Sequence, residues 1–325
     1  MHTIRADELE AAHQVVYAAM APTPQYAWPL LRQRLGSEVW VKHENHTPLG
    51  AFKLRGGLVY MQALARREPQ CPGVISATRG NHGQSVAYAA RRHGLAATVV
   101  VPHGNSVEKN AAMRALGAEL VEHGDDFQQA REHAALLAAD RRLHYVPSFH
   151  RDLVLGVASY WIEFFRAVQP VVVFVPVGLG SGICACIAAR THTGVATRII
   201  GVVSAHATAY LDSFRAGRCI EAPVSTLLAD GMACRVADEE ALAQMRREVD
   251  DVVAVTDDEV ASAMRALFSD THNVAEGAGA ASLAAAMQQR ERWRGQAIGV
   301  TLCGGNVDRA VFARVLGGEE GRAWQ

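Results

Sequence analysis

The segment VVVFVPVGLGSGICACIAAR, residues 171–190, contains the pattern from which the fold class follows. Its apolar start predicts a buried strand, Gly178, Gly180 and Gly182 follow, and the run 183–190 predicts a helix. A glycine-rich turn before a helix presents backbone N–H groups at the positive end of the helix dipole, where an anion is stabilised. We therefore expect a phosphate-binding turn, although the motif alone is also compatible with a purely structural turn.

The same order of strand and helix recurs along the chain. Apolar runs rich in β-branched residues predict strands over 39–41, 74–77, 98–101, 119–121, 171–175, 199–203, 252–255 and 298–302. Helical spacing lies between them, over 57–67, 85–93, 109–116, 127–139 and 257–269. Nearly continuous apolar strands that alternate with helices are typical of parallel sheets covered on both faces. We therefore predict an α/β fold of the doubly wound type, with ligands at the carboxyl ends of the strands.

The composition limits the classes of partner. The 325 residues contain 32 Lys and Arg against 33 Asp and Glu, a formal net charge of -1, so neither nucleic acid nor an anionic membrane is expected. No apolar run approaches the ~20 residues that span a bilayer, and the N-terminus has charges of both signs, unlike a signal peptide. Six scattered cysteines fit free thiols in a reducing compartment, and we predict a cytoplasmic protein.

A second polar segment at a strand end contains Lys53, which follows Gly50, Ala51 and Phe52 at the start of a predicted helix. A lysine among small and aromatic residues loses hydration, which lowers the pKa of its amine and makes the amine nucleophilic. Such an amine that holds a phosphate-bearing aldehyde as a Schiff base is the arrangement of pyridoxal phosphate. A dinucleotide would instead need a carboxylate after the next strand, where residues 202–205 are Val-Val-Ser-Ala.

Several segments together resemble the threonine/serine dehydratase family, which belongs to the fold type II, tryptophan-synthase-β-like pyridoxal-phosphate enzymes. The family pattern reads roughly K-x-E-x-x-x-P-x-G-[SA]-F-K-x-R-G, S-x-G-N-H-G, a glycine-rich phosphate loop, E-x-A-G-A and [SC]-G-G-N. The matching residues, in the same order, are Lys42, Glu44, Pro48, Gly50, Phe52, Lys53, Arg55, Gly56, Gly80, Asn81, His82, Gly83, Gly178, Gly180, Gly182, Glu276, Ala278, Gly279, Ala280, Cys303, Gly304, Gly305 and Asn306. The resemblance covers nearly the whole chain, and the conjunction is specific although each piece is weak.

The resemblance implies a role for each matching residue. Lys53 would hold the cofactor aldehyde and later take the Cα proton of the substrate. The other implied cofactor-binding residues are Phe52 beside the ring, Asn81 at the 3-oxygen, Gly178, Leu179, Gly180, Ser181 and Gly182 at the phosphate, Glu276 near the ring and Cys303 at the pyridine nitrogen. The implied substrate-binding residues are Thr78, Asn81 and His82. A neutral cysteine cannot protonate the ring as an aspartate would, which favours elimination.

The resemblance also implies two doubly wound parallel-sheet domains with the cofactor in the cleft between them. We assign residues 1–68 and 148–325 to a large cofactor-binding domain and residues 69–147 to a small substrate-side domain. Some relatives bind a divalent cation through a Glu and an Asp whose places are taken here by Val203 and Ala209, so we predict no metal site. The stretch after Asn306 leaves no room for a regulatory domain, and a catabolic role is expected.

Arg79 is the main departure from the family pattern. Relatives usually have a hydroxyl residue there, which in the racemase branch is the second acid/base, so serine racemization is not expected. We hypothesise that Arg79 binds substrate, either by stacking on an aryl ring or by pairing with a second carboxylate. An arginine turned to solvent is the alternative. The stretch TRGNHGQS, residues 78–85, is similar to a branch that contains phenylserine dehydratase and hydroxyectoine-utilisation dehydratases.

The predicted function is a pyridoxal-phosphate-dependent dehydratase. It would eliminate water from an L-3-hydroxy amino acid of the threonine, serine or 3-phenylserine type and give a 2-oxo acid and ammonia. The alternatives are a β-replacement enzyme of the cysteine-synthase type and a non-catalytic phosphate- or nucleotide-binding module. The expected partner is the small hydroxy amino acid, and a homodimer is compatible with the sequence.

Overall fold

The computed structural model describes residues 4–318, and within this range the chain forms ten strands and thirteen α-helices. The strands β1 to β10 are Gln25–Ala27, Glu38–His43, Val74–Ala77, Ala97–Val101, Glu119–Glu122, His144–Tyr145, Val172–Pro176, Arg198–Ser204, Asp251–Val255 and Ala297–Leu302. The helices α1 to α13 are Ala6–Tyr17, Pro29–Leu35, Lys53–Arg67, Asn81–Arg92, Val107–Ala115, Phe127–Arg141, Arg151–Ala167, Ser181–Thr193, Ala209–Ala216, Glu239–Glu248, Asp257–Thr271, Gly277–Gln288 and Arg309–Leu316. Two short 3-10 helices are Glu44–His46 and Asp230–Met232.

The strands form two sheets. The six-stranded sheet has the order β1-β2-β10-β7-β8-β9, in which β1 is antiparallel to β2 and the other neighbours are parallel. The four-stranded sheet has the order β5-β4-β3-β6 with parallel neighbours. Strands β3, β4 and β7 are buried along nearly their whole length because helices cover both faces, which explains their continuous apolar sequences. The predicted α/β fold with doubly wound parallel sheets is confirmed.

Helix α3 packs against the cores of both sheets. Its Leu54 and Leu58 belong to the apolar core of the six-stranded sheet, whereas Met61 and Leu64 belong to that of the four-stranded sheet. The strands of the four-stranded sheet all lie between Val74 and Tyr145 in sequence, and the domain division at residues 69 and 147 stays a prediction. Because α3 begins with Lys53, the lysine is placed at the junction of the two sheets.

A close helix contact fixes α3 against α4. A Cβ atom on Gly57 would lie 2.1 Å from Ser85 Oγ, so only glycine allows the two helices to approach this closely. The Ser85 hydroxyl donates a hydrogen bond of 2.6 Å to the carbonyl of Lys53. The start of α3 is therefore held directly against α4, whose first residue is Asn81.

Helix α12 shows why some elements were not predicted. Residues 277–286 are all buried, so the helix has no side that faces solvent. Its sequence GAGAASLAAAMQ is therefore apolar on all sides and shows no amphipathic period. The short strands β1 and β6 and the helices α1 and α2 were also not predicted. Within residues 4–318, no helix combines the length and the apolar character that a membrane span requires.

Candidate active site

A cleft of about 850 Å³, including its part open to solvent, lies where the carboxyl ends of β3, β7 and β10 meet the start of α3. All thirteen residues predicted for the site line this cleft: Phe52, Lys53, Thr78, Arg79, Asn81, His82, Gly178, Leu179, Gly180, Ser181, Gly182, Glu276 and Cys303. The structure thus brings together residues that are as far as 251 positions apart, the difference between 303 and 52. Their individual roles stay predictions.

Lys53 points its amine at the glycine turn. Its Nζ lies 3.2 Å from Ser181 Oγ and 4.9 Å from the centre of the Phe52 ring. Burial lowers the pKa of the Lys53 amine, and the nearby acidic groups, Glu276 among them, only partly oppose this. A lysine amine with a lowered pKa has a larger neutral fraction near pH 7, and the neutral form is the nucleophile.

The glycine turn joins β7 to α8 and is sterically restricted to small residues. A Cβ on Gly178 would lie 2.6 Å from the carbonyl oxygen of Gly231, and Gly180 has φ +102°, which favours glycine. The first α8 hydrogen bond runs from Cys184 N–H to the Gly180 carbonyl, so the amides of residues 181–183 precede the helical ladder. These free amides at the positive helix end fit a phosphate group.

Asn81 is held from both sides at the start of α4. Its Nδ2 donates to Glu276 Oε1 at 2.5 Å, and its Oδ1 accepts a hydrogen bond from Asn306 Nδ2 at 2.9 Å. The Asn306 amide also donates to the carbonyl of Leu49 at 2.8 Å. The side chain of Asn81 is therefore oriented by residues that follow β10 and precede α12.

Lys109 of α5 crosses the cleft, and the sequence analysis did not assign it to the site. Its Nζ lies 2.7 Å from Asp230 Oδ2 and 3.1 Å from Glu276 Oε2. Burial disfavours the charge on Lys109, but the carboxylates of Asp230 and Glu276 outweigh burial and raise the pKa of its amine. A buried cation between two carboxylates joins the four-stranded side of the cleft to the six-stranded side.

Cys303 follows β10 and is bonded to the segment of the lysine. Its carbonyl accepts a hydrogen bond of 3.0 Å from the Phe52 N–H, and its thiol lies 3.5 Å from the Ala278 carbonyl oxygen. Burial raises the pKa of the Cys303 thiol well above its usual range, so the thiol stays neutral at physiological pH. A neutral thiol fits a role beside a pyridine nitrogen that is left unprotonated.

Two residues after β3 shape the other wall of the cleft. Thr78 Oγ1 accepts hydrogen bonds from the N–H groups of Gly80 at 2.8 Å and Gly83 at 3.2 Å. Burial lowers the pKa of His82 to about 3, so its ring is neutral, and its Nε2 has no partner among residues 4–318. The first α4 hydrogen bond runs from Gln84 N–H to the Gly80 carbonyl, which leaves the amides of residues 81 and 82 for a ligand.

The residues of the K-x-E and K-x-R motif form a buried ionic cluster behind Lys53. Arg55 donates to Glu44 at 2.8 Å and to Glu163 at 2.6 Å, and Lys42 donates to Glu163 at 2.5 Å. Arg55, Glu44 and Lys42 are fully buried. Because Arg55 is fixed from several directions, the first turn of α3 that contains Lys53 has a fixed position.

Other cleft residues also went unassigned in the sequence analysis. They are Lys109, Phe127, Ser148, Asp230, Gly231, Ala233 and Cys234. Phe127 and Lys109 lie on α6 and α5, in runs for which the sequence analysis predicted helices and no further role. Only the folded arrangement shows that these helices reach the cleft.

The donor set of the cleft fits pyridoxal phosphate. It combines a lysine amine with a lowered pKa, a helix N-terminus for the phosphate, an oriented asparagine and a neutral thiol. The fold and this cleft define a cofactor-dependent enzyme. The family model "Pyridoxal-phosphate dependent enzyme" matches residues 16–304, and the chain belongs to this family. The predicted family and cofactor are thereby confirmed.

Relatives and solved structures agree with this family. L-threonine ammonia-lyase of Geobacter sulfurreducens is 35% identical over 289 residues, which are 87% of this chain and 71% of that protein. L-threonine dehydratase biosynthetic IlvA of Pasteurella multocida is 32% identical, over 99% of this chain and 64% of that protein. The structure of the processed form of threonine deaminase isoform 2 from Solanum lycopersicum matches with TM-score 0.87 and 29% identity, over 96% of this chain and 94% of that chain. The chain spans about half to two thirds of the length of the dehydratases that it matches first.

Proposed function

We propose that the protein dehydrates an L-3-hydroxy amino acid to a 2-oxo acid and ammonia with the help of pyridoxal phosphate. The observation that carries the proposal is the position of Lys53 Nζ, 3.2 Å from Ser181 Oγ on the glycine turn and inside the same cleft. The similar proteins named above are threonine dehydratases, deaminases and ammonia-lyases, which supports this reaction class.

Lys53 is singled out because the chain contains only three lysines, Lys42, Lys53 and Lys109. Lys109 is paired with two carboxylates, and Lys42 is buried in the ionic cluster with Glu163. Lys53 forms no salt bridge with any residue of the described range 4–318. It is therefore the lysine available for a covalent bond to the cofactor aldehyde.

The cofactor, when bound, supplies an electron sink for the electron pair left at Cα. Lys53 would hold its aldehyde, residues 178–182 its phosphate, Asn81 its ring oxygen and Cys303 its ring nitrogen. The neutral thiol of Cys303 leaves that nitrogen unprotonated, which limits the electron sink and favours direct loss of a β-substituent over reactions that need a long-lived carbanion.

The remaining steps are assigned to side chains of the chain. Once displaced by the substrate amino group, the Lys53 amine would remove the Cα proton, since its lowered pKa provides a neutral base. The free amides of residues 81 and 82 would bind the substrate carboxylate beside Thr78. Loss of the β-hydroxyl as water, followed by hydrolysis of the released enamine, gives the 2-oxo acid and ammonia.

Borohydride reduction followed by peptide mass spectrometry tests the cofactor bond. We expect the pyridoxyl label on Lys53 in the wild-type holoenzyme, and no label at that site and no 2-oxo acid from the Lys53→Ala variant. A label on Lys42 or Lys109 would contradict the assignment, and the chain contains no other lysine to confuse the result.

A substrate panel tests the reaction class. We expect 2-oxo acid and ammonia in equal amounts from at least one of L-threonine, L-serine, L-threo-3-phenylserine and 3-hydroxyaspartate. Product formation only from O-acetylserine and sulfide would indicate β-replacement, and retention of nucleotide without any cofactor label would indicate a binding module. A cytoplasmic location and a homodimer stay proposals, the former supported by the free state of the six cysteines.

A further inference from the structure

Arg79 lies where the active-site cleft adjoins a second cavity, which we call the outer cavity. The outer cavity is lined by residues within the segments 125–131, 223–224 and 233–236, together with Arg79 and Leu179. Arg79 lines both cavities, as do Phe127 and Leu179. A substituent that extends from a substrate bound at Lys53 toward the outer cavity would pass this wall.

The guanidinium of Arg79 has unused hydrogen-bonding capacity. Its Nε is buried and has no hydrogen-bond partner among residues 4–318, and no salt bridge to Arg79 is formed in this range. A buried N–H that has lost its water without gaining an acceptor is unfavourable. An acceptor delivered by a ligand would remove that penalty.

The two carboxylates of the cleft do not supply this acceptor. Asp230 and Glu276 are both bound to Lys109 Nζ, at 2.7 and 3.1 Å. Within the described range, both carboxylates on one wall of the cleft therefore share the counter-charge of Lys109, whereas Arg79 on the other wall forms no salt bridge.

Charged side chains of both signs line the outer cavity. Arg79, Arg131 and Arg235 stand against Asp125 and Asp126. Arg235 is already paired with Asp126 at 3.3 Å and with Glu221 at 2.6 Å, and Asp125 is exposed. Among residues 4–318 no salt bridge to Arg79 is formed, so Arg79 keeps its charge available for an incoming carboxylate.

We propose that Arg79 determines specificity by binding a second carboxylate, carried on the substrate side chain. The planar guanidinium can donate two parallel hydrogen bonds to a carboxylate, and neither a methyl group nor a phenyl ring can accept a hydrogen bond of that kind from Nε. The preferred substrate is then an acidic L-3-hydroxy amino acid, of which 3-hydroxyaspartate is the simplest. This inference rests on the proposed dehydratase function.

The reaction of 3-hydroxyaspartate balances without any oxidant or reductant. The Cα–H and Cβ–O bonds break and water leaves, and hydrolysis of the enamine formed gives oxaloacetate and ammonia. The second carboxylate stays intact, so Arg79 would serve as a binding residue and not as an acid or base.

The test compares kcat/KM of the holoenzyme for 3-hydroxyaspartate, L-threonine and L-threo-3-phenylserine. We expect wild type to prefer 3-hydroxyaspartate at least tenfold. Arg79→Met should lower kcat/KM for this substrate about 100-fold, as expected for loss of a charged hydrogen-bonded pair, and change that for threonine by less than about threefold. Arg79→Lys should have a kcat/KM for 3-hydroxyaspartate between those of wild type and Arg79→Met. The matched control Arg114→Met removes an exposed arginine, paired with Glu122, and should change neither value.

A binding measurement separates the two proposals. L-Aspartate and L-alanine lack the 3-hydroxyl, and calorimetry on the holoenzyme should show tighter binding of aspartate, with the difference lost in Arg79→Met. If Arg79→Met lowers kcat/KM equally for all three substrates, or if wild type prefers phenylserine, the proposed role of Arg79 is overturned. If no hydroxy amino acid yields a 2-oxo acid, the dehydratase proposal fails, and the aspartate-against-alanine comparison still decides whether Arg79 binds a second carboxylate.

Discussion

Glu108 of α5 and Asp308, just before α13, cap one another's helices. Glu108 Oε1 accepts a hydrogen bond of 2.9 Å from the Arg309 N–H at the start of α13, and Asp308 Oδ1 accepts one of 3.2 Å from the Glu108 N–H at the start of α5. Asp308 also accepts hydrogen bonds from the Ser106 hydroxyl and the Val107 N–H. This reciprocal cap lies next to Lys109, so two consecutive residues of α5 bind the six-stranded side of the protein.

Removal of the reciprocal cap should destabilise the folded protein. Asp308→Ala takes an acceptor from the first turn of α5, and we expect the free energy of unfolding to fall by about 1–2 kcal/mol, as for other helix caps. Urea denaturation followed by circular dichroism measures this. Glu291→Ala, which removes an exposed carboxylate paired with Arg294, is the control and should leave the midpoint unchanged. Equal midpoints for both variants would contradict the capping role.

Loss of the Lys109 cation should lower the free energy of unfolding more than loss of the Asp308 cap does. Lys109→Met leaves the buried carboxylate of Glu276 without its counter-charge, and breaking such a pair typically costs about 3–5 kcal/mol. The double variant Lys109→Met, Glu276→Gln removes both charges and should recover part of this stability. Denaturation of wild type, of the two single variants and of the double variant measures the coupling energy between Lys109 and Glu276. Additive effects of the two substitutions would show that the ion pair contributes nothing.

Gly182→Ala should separate cofactor binding from folding. The added Cβ would come no closer than 3.8 Å to protein atoms, with Phe52 the nearest, so the fold accepts it, and alanine is favoured over glycine in a helix. The same methyl group lies at the proposed phosphate position, where we expect the Kd for pyridoxal phosphate to rise at least tenfold, about 1.4 kcal/mol. Thermal denaturation of the apoprotein measures its stability, and a cofactor titration measures the Kd for pyridoxal phosphate. An unchanged Kd would place the phosphate elsewhere.

Stability should fall as the pH drops below about 6.5. Burial lowers the pKa of His43 to about 4 and that of His82 to about 3, so between these values and 6.5 the unfolded chain binds protons that the folded protein does not. Each histidine then contributes a slope of up to about 1.4 kcal/mol per pH unit, and stability rises with pH. His43→Gln should flatten the profile from pH 4 to 6.5, while the exposed His103→Gln should not. Parallel profiles for His43→Gln and wild type would contradict this account.

The parallel strands and the chemistry at their carboxyl ends could be predicted from sequence because both are local. A buried parallel strand needs a continuous apolar run, and a phosphate turn needs glycines directly before a helix, so β7 and residues 178–182 are visible without any contact information. The match of Lys53, Asn81, Glu276 and Cys303 to one family pattern then predicts that they share one site. Helix α12 escaped prediction because a helix buried on all sides has no amphipathic period.

Residue types and their local spacing were enough to predict the fold class, a nucleophilic lysine and a phosphate-binding glycine turn, since each of these depends on a short stretch of chain. Which residues from distant segments become neighbours depends instead on how the two sheets pack. Lys109 became part of the site because α5 packs with its first turn toward Asp230 and Glu276, more than 100 residues away in sequence. The Nε of Arg79 likewise has no hydrogen-bond partner among residues 4–318 because of where the folded chain places the nearby acceptors. Asp230 and Glu276, for example, pair with Lys109 only once both sheets are folded together.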